Sequence, residues 1–163
     1  MHKDRWLKLE KLIKTDDLIK LRKVNQKMKR EKHEKIMAEV WDEVNTALSD
    51  KRGLIAHQSR LAFSVSLGAV NILEIYLHNL NVLKEGVKID HKWFKRKMET
   101  VFEHLQNQIT SPIISIQRIE EIVDIVRKIE EKRDDLAYGS SATEEVLQEK
   151  INLLFKLKEI TKC

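Results

Sequence analysis

Apolar side chains recur at every third or fourth position through almost the whole chain, which is the spacing of one face of an α-helix. The clearest run is Ile116, Ile119, Ile122, Val126 and Ile129. Only 4 Gly and 1 Pro occur in 163 residues, so the chain lacks the turn residues that a sheet of short strands needs. The sequence therefore predicts an all-α fold, an antiparallel helical bundle of about five to six helices.

Capping residues and breaks in this periodicity divide the chain into six predicted helical segments. The first is short and contains Trp6, and the second begins near Thr15 and continues through a charged stretch to Ser49. The segment 54–83 is the most apolar, which predicts a helix at the centre of the bundle. The remaining three segments are predicted from Asp90 to Ile109, from Ser111-Pro112 to near Gly139, and from a capping box at Ser141 to Glu144 onward.

Positive charge is concentrated at one end of the chain. Residues 1–35 contain 13 Lys/Arg and 6 Asp/Glu, a net charge of +7, whereas residues 36–163 contain 18 and 20, a net charge of −2. This asymmetry predicts a basic N-terminal helical extension, 1–35, followed by the bundle, 36–163. Such an extension is able to bind nucleic-acid phosphates, and a solvated helix face is the alternative. The candidate nucleic-acid-binding residues are Lys20, Arg22, Lys23, Lys27 and Arg30, together with Lys95 and Arg96 beside the aromatic pair Trp93-Phe94.

The residue types also exclude several classes of site. The single cysteine, Cys163, allows neither an internal disulfide bond nor a thiolate zinc cluster, and we expect a cytoplasmic protein. Charged residues interrupt the most apolar segment, so we expect no membrane-spanning helix. Glycine-rich phosphate loops, His-Glu-x-x-His and the nucleophile elbow are absent, and the histidine spacings match no recognised metal site. The sequence therefore predicts neither a cofactor nor a bound metal.

One charged residue, Arg133, continues the apolar spacing of the fifth segment and is therefore expected to point toward the bundle. On the central segment, polar or small residues also recur at helical spacing, and they include Asn71 and Glu74. If this stripe is buried, we expect Asn71 and Glu74 to face Arg133, because a buried guanidinium needs an acceptor; exposure to solvent is the alternative. Arg133 has two possible roles, a structural ion pair or a contact to a phosphate or scissile bond.

The stretch Glu130-Glu131-Lys132-Arg133-Asp134-Asp135-Leu136-Ala137-Tyr138-Gly139 resembles the corresponding part of HEPN domains. These are all-α modules associated with nucleotides and RNA, and the resemblance covers roughly residues 36–160. Family members commonly carry Arg, a polar residue such as Asn or Asp, three further residues and His. Arg133 and Asp134 match this motif. The resemblance implies a catalytic or binding site at Arg133, Asp134 and Tyr138, a homodimer, and a small nucleotidyltransferase as partner in a toxin–antitoxin pair.

Tyr138 stands where the family has its histidine. The family's ribonuclease activity is attributed to Arg and His together at a dimer cleft, and a tyrosine is a poor general base near neutral pH. We therefore expect nucleotide or RNA binding with reduced or absent endoribonuclease activity. A literal Arg52-x4-His57 match is the second choice for a catalytic pair, since about one such match is expected by chance. Two alternatives stay open, a non-enzymatic interaction or scaffold protein and an active metal-independent endoribonuclease.

Overall fold

The computed structural model describes residues 15–162, and these residues form an all-α helical bundle, which confirms the predicted fold class. Short 3₁₀ helices lie at Leu54–His57, His91–Lys95 and Ile113–Ser115. Leu83 and Ile109 form an isolated antiparallel β-bridge, and no longer strand occurs in the described range. The α-helices of these residues are α1 (Thr15–Ser49), α2 (Gln58–Asn79), α3 (Met98–Gln108), α4 (Ile119–Glu130), α5 (Arg133–Tyr138) and α6 (Glu144–Thr161).

The chain divides into two compact units, residues 1–35 and 36–163. In the first unit the described residues are 15–35, which belong to α1, and the predicted short helix around Trp6 lies outside them. Asp16 and Asp17 occupy the first turn of α1, where carboxylates interact favourably with the helix dipole. Most side chains of this stretch are exposed.

Helix α2 is the central element of the second unit and packs against α4, α5 and α6. Most of its residues are buried, as the apolar composition of this segment predicts. Gly68 permits a close approach between helices, because a Cβ atom there would lie only 2.8 Å from Val40 Cγ1 and 3.3 Å from Leu154 Cδ1. By length and composition Leu54–Asn79 could cross a membrane, but 67% of its most apolar stretch is buried, as expected of a helix at the centre of a bundle.

Two predicted helices are shorter than their apolar patterns suggest. The segment predicted at 54–83 begins as a 3₁₀ turn, and α2 ends at Asn79 because Asn81 adopts a left-handed conformation with φ 56°. The Asp90 carboxylate caps a helix as predicted, accepting from Lys92 N at 2.9 Å, but that helix is the 3₁₀ turn His91–Lys95. Two extended residues, Arg96 and Lys97, then separate it from α3.

The boundaries predicted between 111 and 144 are also wrong in detail. Pro112 precedes a 3₁₀ turn, and α4 begins only after Arg118, which is left-handed with φ 58°. The predicted fifth helix divides into α4 and α5, because Lys132, with φ 56°, interrupts the helical conformation there. Thr143, and not Ser141, caps α6 by accepting a hydrogen bond from Val146 N at 3.3 Å.

Two of the three tryptophans lie in the described residues, and both are half-buried against an aromatic ring. Trp41 stacks on Phe155 with ring centroids 5.2 Å apart, and Trp93 stacks on His104 at 5.1 Å. The Trp41 pair joins α1 to α6, and the Trp93 pair joins the 3₁₀ helix His91–Lys95 to α3. Both contacts serve packing within the second unit.

Candidate functional site

Arg133 is the first residue of α5, directly after the left-handed Lys132. Its Nη1 donates a hydrogen bond to Asp134 Oδ1 at 2.8 Å, and its Cζ lies 4.8 Å from the centroid of the Phe63 ring on α2. The side chain is 14% exposed, which agrees with the predicted inward direction. Its Nε is buried and has no hydrogen-bond acceptor among the described residues. The guanidinium is therefore held in place while part of its donor capacity is unused.

Phe63 also contacts the ring of Tyr138, in an edge-to-face arrangement with centroids 5.7 Å apart. The Tyr138 residue is 75% exposed, and Leu67, one turn after Phe63 on α2, is exposed as well. Arg133, Phe63, Leu67 and Tyr138 thus form a surface that combines apolar and aromatic side chains with a cation. We call these four residues the aromatic surface.

A cleft with a volume of about 570 Å³ opens beside Arg133. Lys95 forms an ion pair with Asp134 across it, so the predicted residues Lys95, Arg133 and Asp134 come together in space. The Lys95 ammonium and, next in importance, the Arg133 guanidinium hold the pKa of Asp134 below its ordinary value. Basic side chains outnumber acidic ones in the cleft, whose lining is Phe94, Lys95, Asp124, Arg127, Lys128, Glu130, Glu131, Lys132, Arg133 and Asp134.

A lysine on α6, Lys150, stabilises the turn between α4 and α5 that positions Arg133. Lys150 Nζ on α6 donates to the carbonyl oxygens of Lys128 and Glu131, the latter at 2.8 Å. These carbonyls lie at the C-terminal end of α4, where the helix leaves acceptors without intrahelical partners. Desolvation by burial is the main cause that lowers the pKa of Lys150. Lys150 therefore stabilises the break between α4 and α5 that places Arg133 at the cleft.

A buried carboxylate, Glu130, borders the same cleft, and sequence reasoning gave it no role. Ser66 Oγ on α2 donates to Glu130 Oε1, and His91 Nδ1 lies 3.1 Å from Glu130 Oε2. His91 is separated from Glu130 by 39 positions in the chain, so no local motif could have joined them. The sequence marks this place only by Asp90, a capping residue, which precedes the 3₁₀ helix that begins with His91.

The second-choice pair, Arg52 and His57, also comes together, through a shared carboxylate. Asp50 Oδ2 accepts from Arg52 Nη2 at 2.6 Å and lies 2.8 Å from His57 Nε2. His57 Nδ1 lies 3.0 Å from Glu43 Oε1, and Glu43 pairs with Arg60 at 3.2 Å. The hydrogen bonds from the Arg52 side chain are the main cause that holds the pKa of Asp50 far below its usual range. His57 is only 3% exposed, so its imidazole is closed to a ligand, whereas the Arg52 side chain is 70% exposed.

Asn71 and Glu74, which we expected to face Arg133, form hydrogen bonds with backbone groups elsewhere. Asn71 Nδ2 donates to the Leu67 carbonyl at 2.9 Å, and Glu74 Oε1 accepts from Ile89 N at 2.7 Å. Arg133 instead contacts Phe63, and Glu74 follows Phe63 by eleven residues, about 16 Å along α2. The stripe is buried at Gly68, Asn71 and Glu74, and the backbone N–H of Ile89 is one partner of Glu74.

The predicted nucleic-acid-binding residues of the first unit lie on one exposed stretch of α1. Lys27 pairs with Glu31 at 3.8 Å and Arg30 with Glu34 at 2.9 Å, both one helical turn apart. Lys20, Arg22 and Lys23 are exposed. Arg96 is exposed in the second unit, where its carbonyl accepts a hydrogen bond from Arg127 Nε at 3.1 Å.

Comparison with protein-family models, curated proteins and solved structures finds no match to this chain. Within residues 15–162, no group of three or more His, Cys, Asp or Glu side chains is arranged to hold a metal ion. The functional interpretation accordingly depends on the side chains around Arg133 and on the arrangement of charges along the chain.

Proposed function

We propose that this chain is a nucleotide- or RNA-binding helical bundle, similar to HEPN domains, in which Arg133 holds a phosphate. The observation that carries the proposal is the position of Arg133, whose guanidinium is held by Phe63 and Asp134 at the wall of the cleft of about 570 Å³. Arginine presents its donors in a planar fork that matches phosphate oxygens. Lys95 and Lys132 line the same cleft and add positive charge for an anionic ligand.

The same proposal includes reduced or absent endoribonuclease activity, because Tyr138 replaces the histidine of the family motif. The exposed Tyr138 ring, held by Phe63, offers a face on which a base can stack. A homodimer is part of the proposal, since the aromatic surface exposes apolar side chains next to the cleft. Pairing with a small nucleotidyltransferase in a toxin–antitoxin system depends on the HEPN resemblance alone.

Binding to a labelled mixed-sequence RNA, measured by fluorescence anisotropy, tests this proposal. We expect Arg133→Ala to weaken binding more than tenfold and Arg133→Lys to weaken it less, because lysine keeps the charge and loses the fork. Arg118→Ala is the matched control, since Arg118 is an exposed arginine that pairs with Glu121 at 2.7 Å. Equal affinity of the parent protein and Arg133→Ala would remove Arg133 from the binding site.

A second candidate function, an interaction or scaffold protein, is favoured by a different observation. The first unit exposes several large apolar side chains on α1, namely Leu18, Leu21, Val24 and Met28.

Binding of phosphates by the same stretch of α1 would depend on its lysines and arginines, and the affinity would fall steeply with salt. We therefore expect Lys23→Glu with Lys27→Glu to weaken RNA binding at low salt. If RNA affinity is unchanged, the stretch is not part of an RNA site and the scaffold interpretation gains support.

A further inference from the structure

Residues 18–30 of α1 combine a high positive charge with exposed apolar side chains. They include six Lys/Arg and no Asp/Glu, and we call them the basic stretch. The large apolar side chains of the basic stretch are between 41% and 58% exposed, and they are Leu18, Ile19, Leu21, Val24 and Met28. A continuous exposed apolar patch rimmed by polar residues marks a site of interaction with a protein or a membrane.

Four of these apolar side chains lie along one side of the helix. Leu18, Leu21, Val24 and Met28 follow one another at intervals of 3, 3 and 4 residues. Each residue turns an α-helix by about 100°, so the four positions lie within a sector of about 120° and extend over about 15 Å. Ile19 lies outside this sector. We call the four residues the apolar face.

The cations of the basic stretch lie on both edges of the apolar face and opposite to it. By the same angular step, Arg22 and Lys29 border one edge. Lys20 is the nearest cation to the other edge, and Lys23 is on the opposite side of the helix. Long Lys and Arg side chains extend from the edge of an apolar surface to anionic groups beside it. A ligand that covers the apolar face therefore meets positive charge on both sides.

The surface of an anionic phospholipid bilayer has the matching arrangement of charge and apolar groups. Its phosphates lie directly above the acyl chains, so a basic amphipathic helix binds in the plane of the interface with its apolar side inserted. Each Lys or Arg near such a surface adds to the affinity. The exposed ion pair between Lys27 and Glu31, at 3.8 Å, opposes this little, because exposed pairs contribute little energy.

Other occupants fit the basic stretch less well. RNA would contact the cations and leave the apolar face in water, since 15–35 contains no Phe, Tyr or Trp ring on which a base could stack. A second copy would bring like charges together, because 18–30 has no carboxylate to pair with them. The strongest contacts in protein interfaces are enriched in Trp, Tyr and Arg, whereas the apolar face consists of Leu, Val and Met.

We propose that the basic stretch binds the surface of an anionic phospholipid membrane, with the apolar face inserted among the acyl chains and the cations at the lipid phosphates. The helix lies on the membrane and does not span it, because spanning requires about 20 consecutive apolar residues. This inference goes beyond RNA binding at Arg133 and does not depend on it. It also gives a partner to the exposed apolar side chains that favour the interaction interpretation.

Co-sedimentation of the full chain with vesicles tests the proposal. Vesicles with equal parts of phosphatidylcholine and phosphatidylglycerol are compared with vesicles of phosphatidylcholine alone. We expect binding to the anionic vesicles to be at least about tenfold tighter and to weaken as salt is added. Equal affinity for the two compositions, or no binding to either, would overturn the proposal and leave the RNA site at Arg133 untouched.

A double variant, Leu21→Gln with Met28→Gln, removes half of the apolar face and keeps every charge. Glutamine is nearly as good a helix former as leucine and methionine, so α1 should stay helical, which circular dichroism measures. We expect affinity for the anionic vesicles to fall about tenfold or more, and RNA affinity to change less than about twofold. The matched control, Leu48→Gln with Ile114→Gln, removes two exposed apolar side chains of the second unit and should bind vesicles as the parent protein does.

Two results with these variants would contradict the inference. Parent-like vesicle binding by Leu21→Gln with Met28→Gln would show that the apolar face is not inserted. An equal loss of vesicle binding in the control would show that apolar surface anywhere on the chain has the same effect.

A fluorescent label distinguishes insertion from adsorption by charge alone. Leu21 and Lys23 lie about 160° apart around the helix. In a Cys163→Ser background, which removes the single cysteine, Leu21→Cys and Lys23→Cys are each labelled with a polarity-sensitive fluorophore. With anionic vesicles, the emission should shift to the blue for the label at position 21 and stay unchanged at position 23. Equal shifts at both positions would overturn the proposed orientation, and a concentration-dependent shift without vesicles would assign the apolar face to a second copy.

Discussion

Two regions of this molecule place an arginine next to a carboxylate, and they differ in what remains available to a ligand. Around His57, Asp50 bridges the imidazole and Arg52, and Glu43 engages the other ring nitrogen. Around Arg133, Lys95 and Asp134 pair at the edge of an open cleft, and the buried Nε has no acceptor among the described residues. We call these the closed region and the open region.

The comparison shows that the spacing of the motif can occur where its histidine is buried. Arg52-x4-His57 reproduces the motif spacing, but both side chains lie within hydrogen-bond distance of the same carboxylate, Asp50. Arg133-x4-Tyr138 lacks the histidine, but its Arg133 and Asp134 line a cleft of about 570 Å³. A ligand site requires exposure and unused hydrogen-bonding capacity, and the His57 imidazole lacks both, because it is buried and each of its ring nitrogens lies within hydrogen-bond distance of a carboxylate.

The largest effect is expected at His57, where a substitution should lower the stability of the fold and leave RNA affinity unchanged. His57→Ala should lower the free energy of unfolding by about 2 to 3 kcal/mol, because it removes a buried ring whose two nitrogens lie within hydrogen-bond distance of carboxylates. RNA affinity per folded molecule should stay at the parent value. Urea unfolding and anisotropy measure the two quantities. Loss of RNA binding by a stable His57→Ala protein would move the site to the closed region.

Two glycines with positive φ, Gly53 and Gly139, allow a second comparison between the two regions. Gly53 has φ 83°, and a Cβ there would lie 2.4 Å from Glu144 Oε1, whereas Gly139 has φ 131° and nothing within 4 Å. The Glu144 carboxylate accepts from Leu54 N at 2.9 Å and Ile55 N at 3.2 Å. Gly53→Ala should therefore cost about 2 to 3 kcal/mol and the matched Gly139→Ala about 1 kcal/mol. Equal costs in thermal or urea unfolding would mean that the Glu144 contact contributes nothing.

The sequence predicted the helices well because apolar spacing reports directly on a buried face, as in the run from Ile119 to Ile129. It failed where single residues adopt left-handed conformations, since Lys132 and Arg118 are not residues that favour a turn. Arg133 was found by its position in the apolar spacing. Phe63, His91 and Glu130 were not found, because their contacts join positions far apart in the chain and neither period nor spacing encodes them.

Acid should weaken the closed region more than the open one. The folded-state pKa values of Asp50 and Asp134 are both below the ordinary value, so each carboxylate stabilises the fold above that value and loses its contribution as the pH falls. The depression is larger for Asp50, mainly because of its hydrogen bonds with Arg52. Asp50→Asn should therefore flatten the fall in stability between about pH 5 and about pH 2 more than Asp134→Asn does. Urea unfolding across this range measures both slopes, and the reverse order would contradict the comparison.

The smallest expected effect lies at Lys132, where the open region combines backbone strain with a charge in the cleft. Lys132 has φ 56°, a conformation that costs a non-glycine residue about 1 kcal/mol, so Lys132→Gly should leave the free energy of unfolding unchanged or raise it by up to about 1 kcal/mol. The same change removes a cation that lines the cleft and should weaken RNA binding a few-fold, with a smaller dependence of affinity on salt.

Lys132→Asn is the matched control, because asparagine tolerates the left-handed conformation and also lacks the charge. Both variants should lose affinity, and neither should lose much stability, which is the opposite of the result expected for His57→Ala. If both variants bind RNA as the parent protein does, the strained backbone at Lys132 serves only to turn the chain into α5, and the cleft then depends on Lys95 and Arg133 for its positive charge.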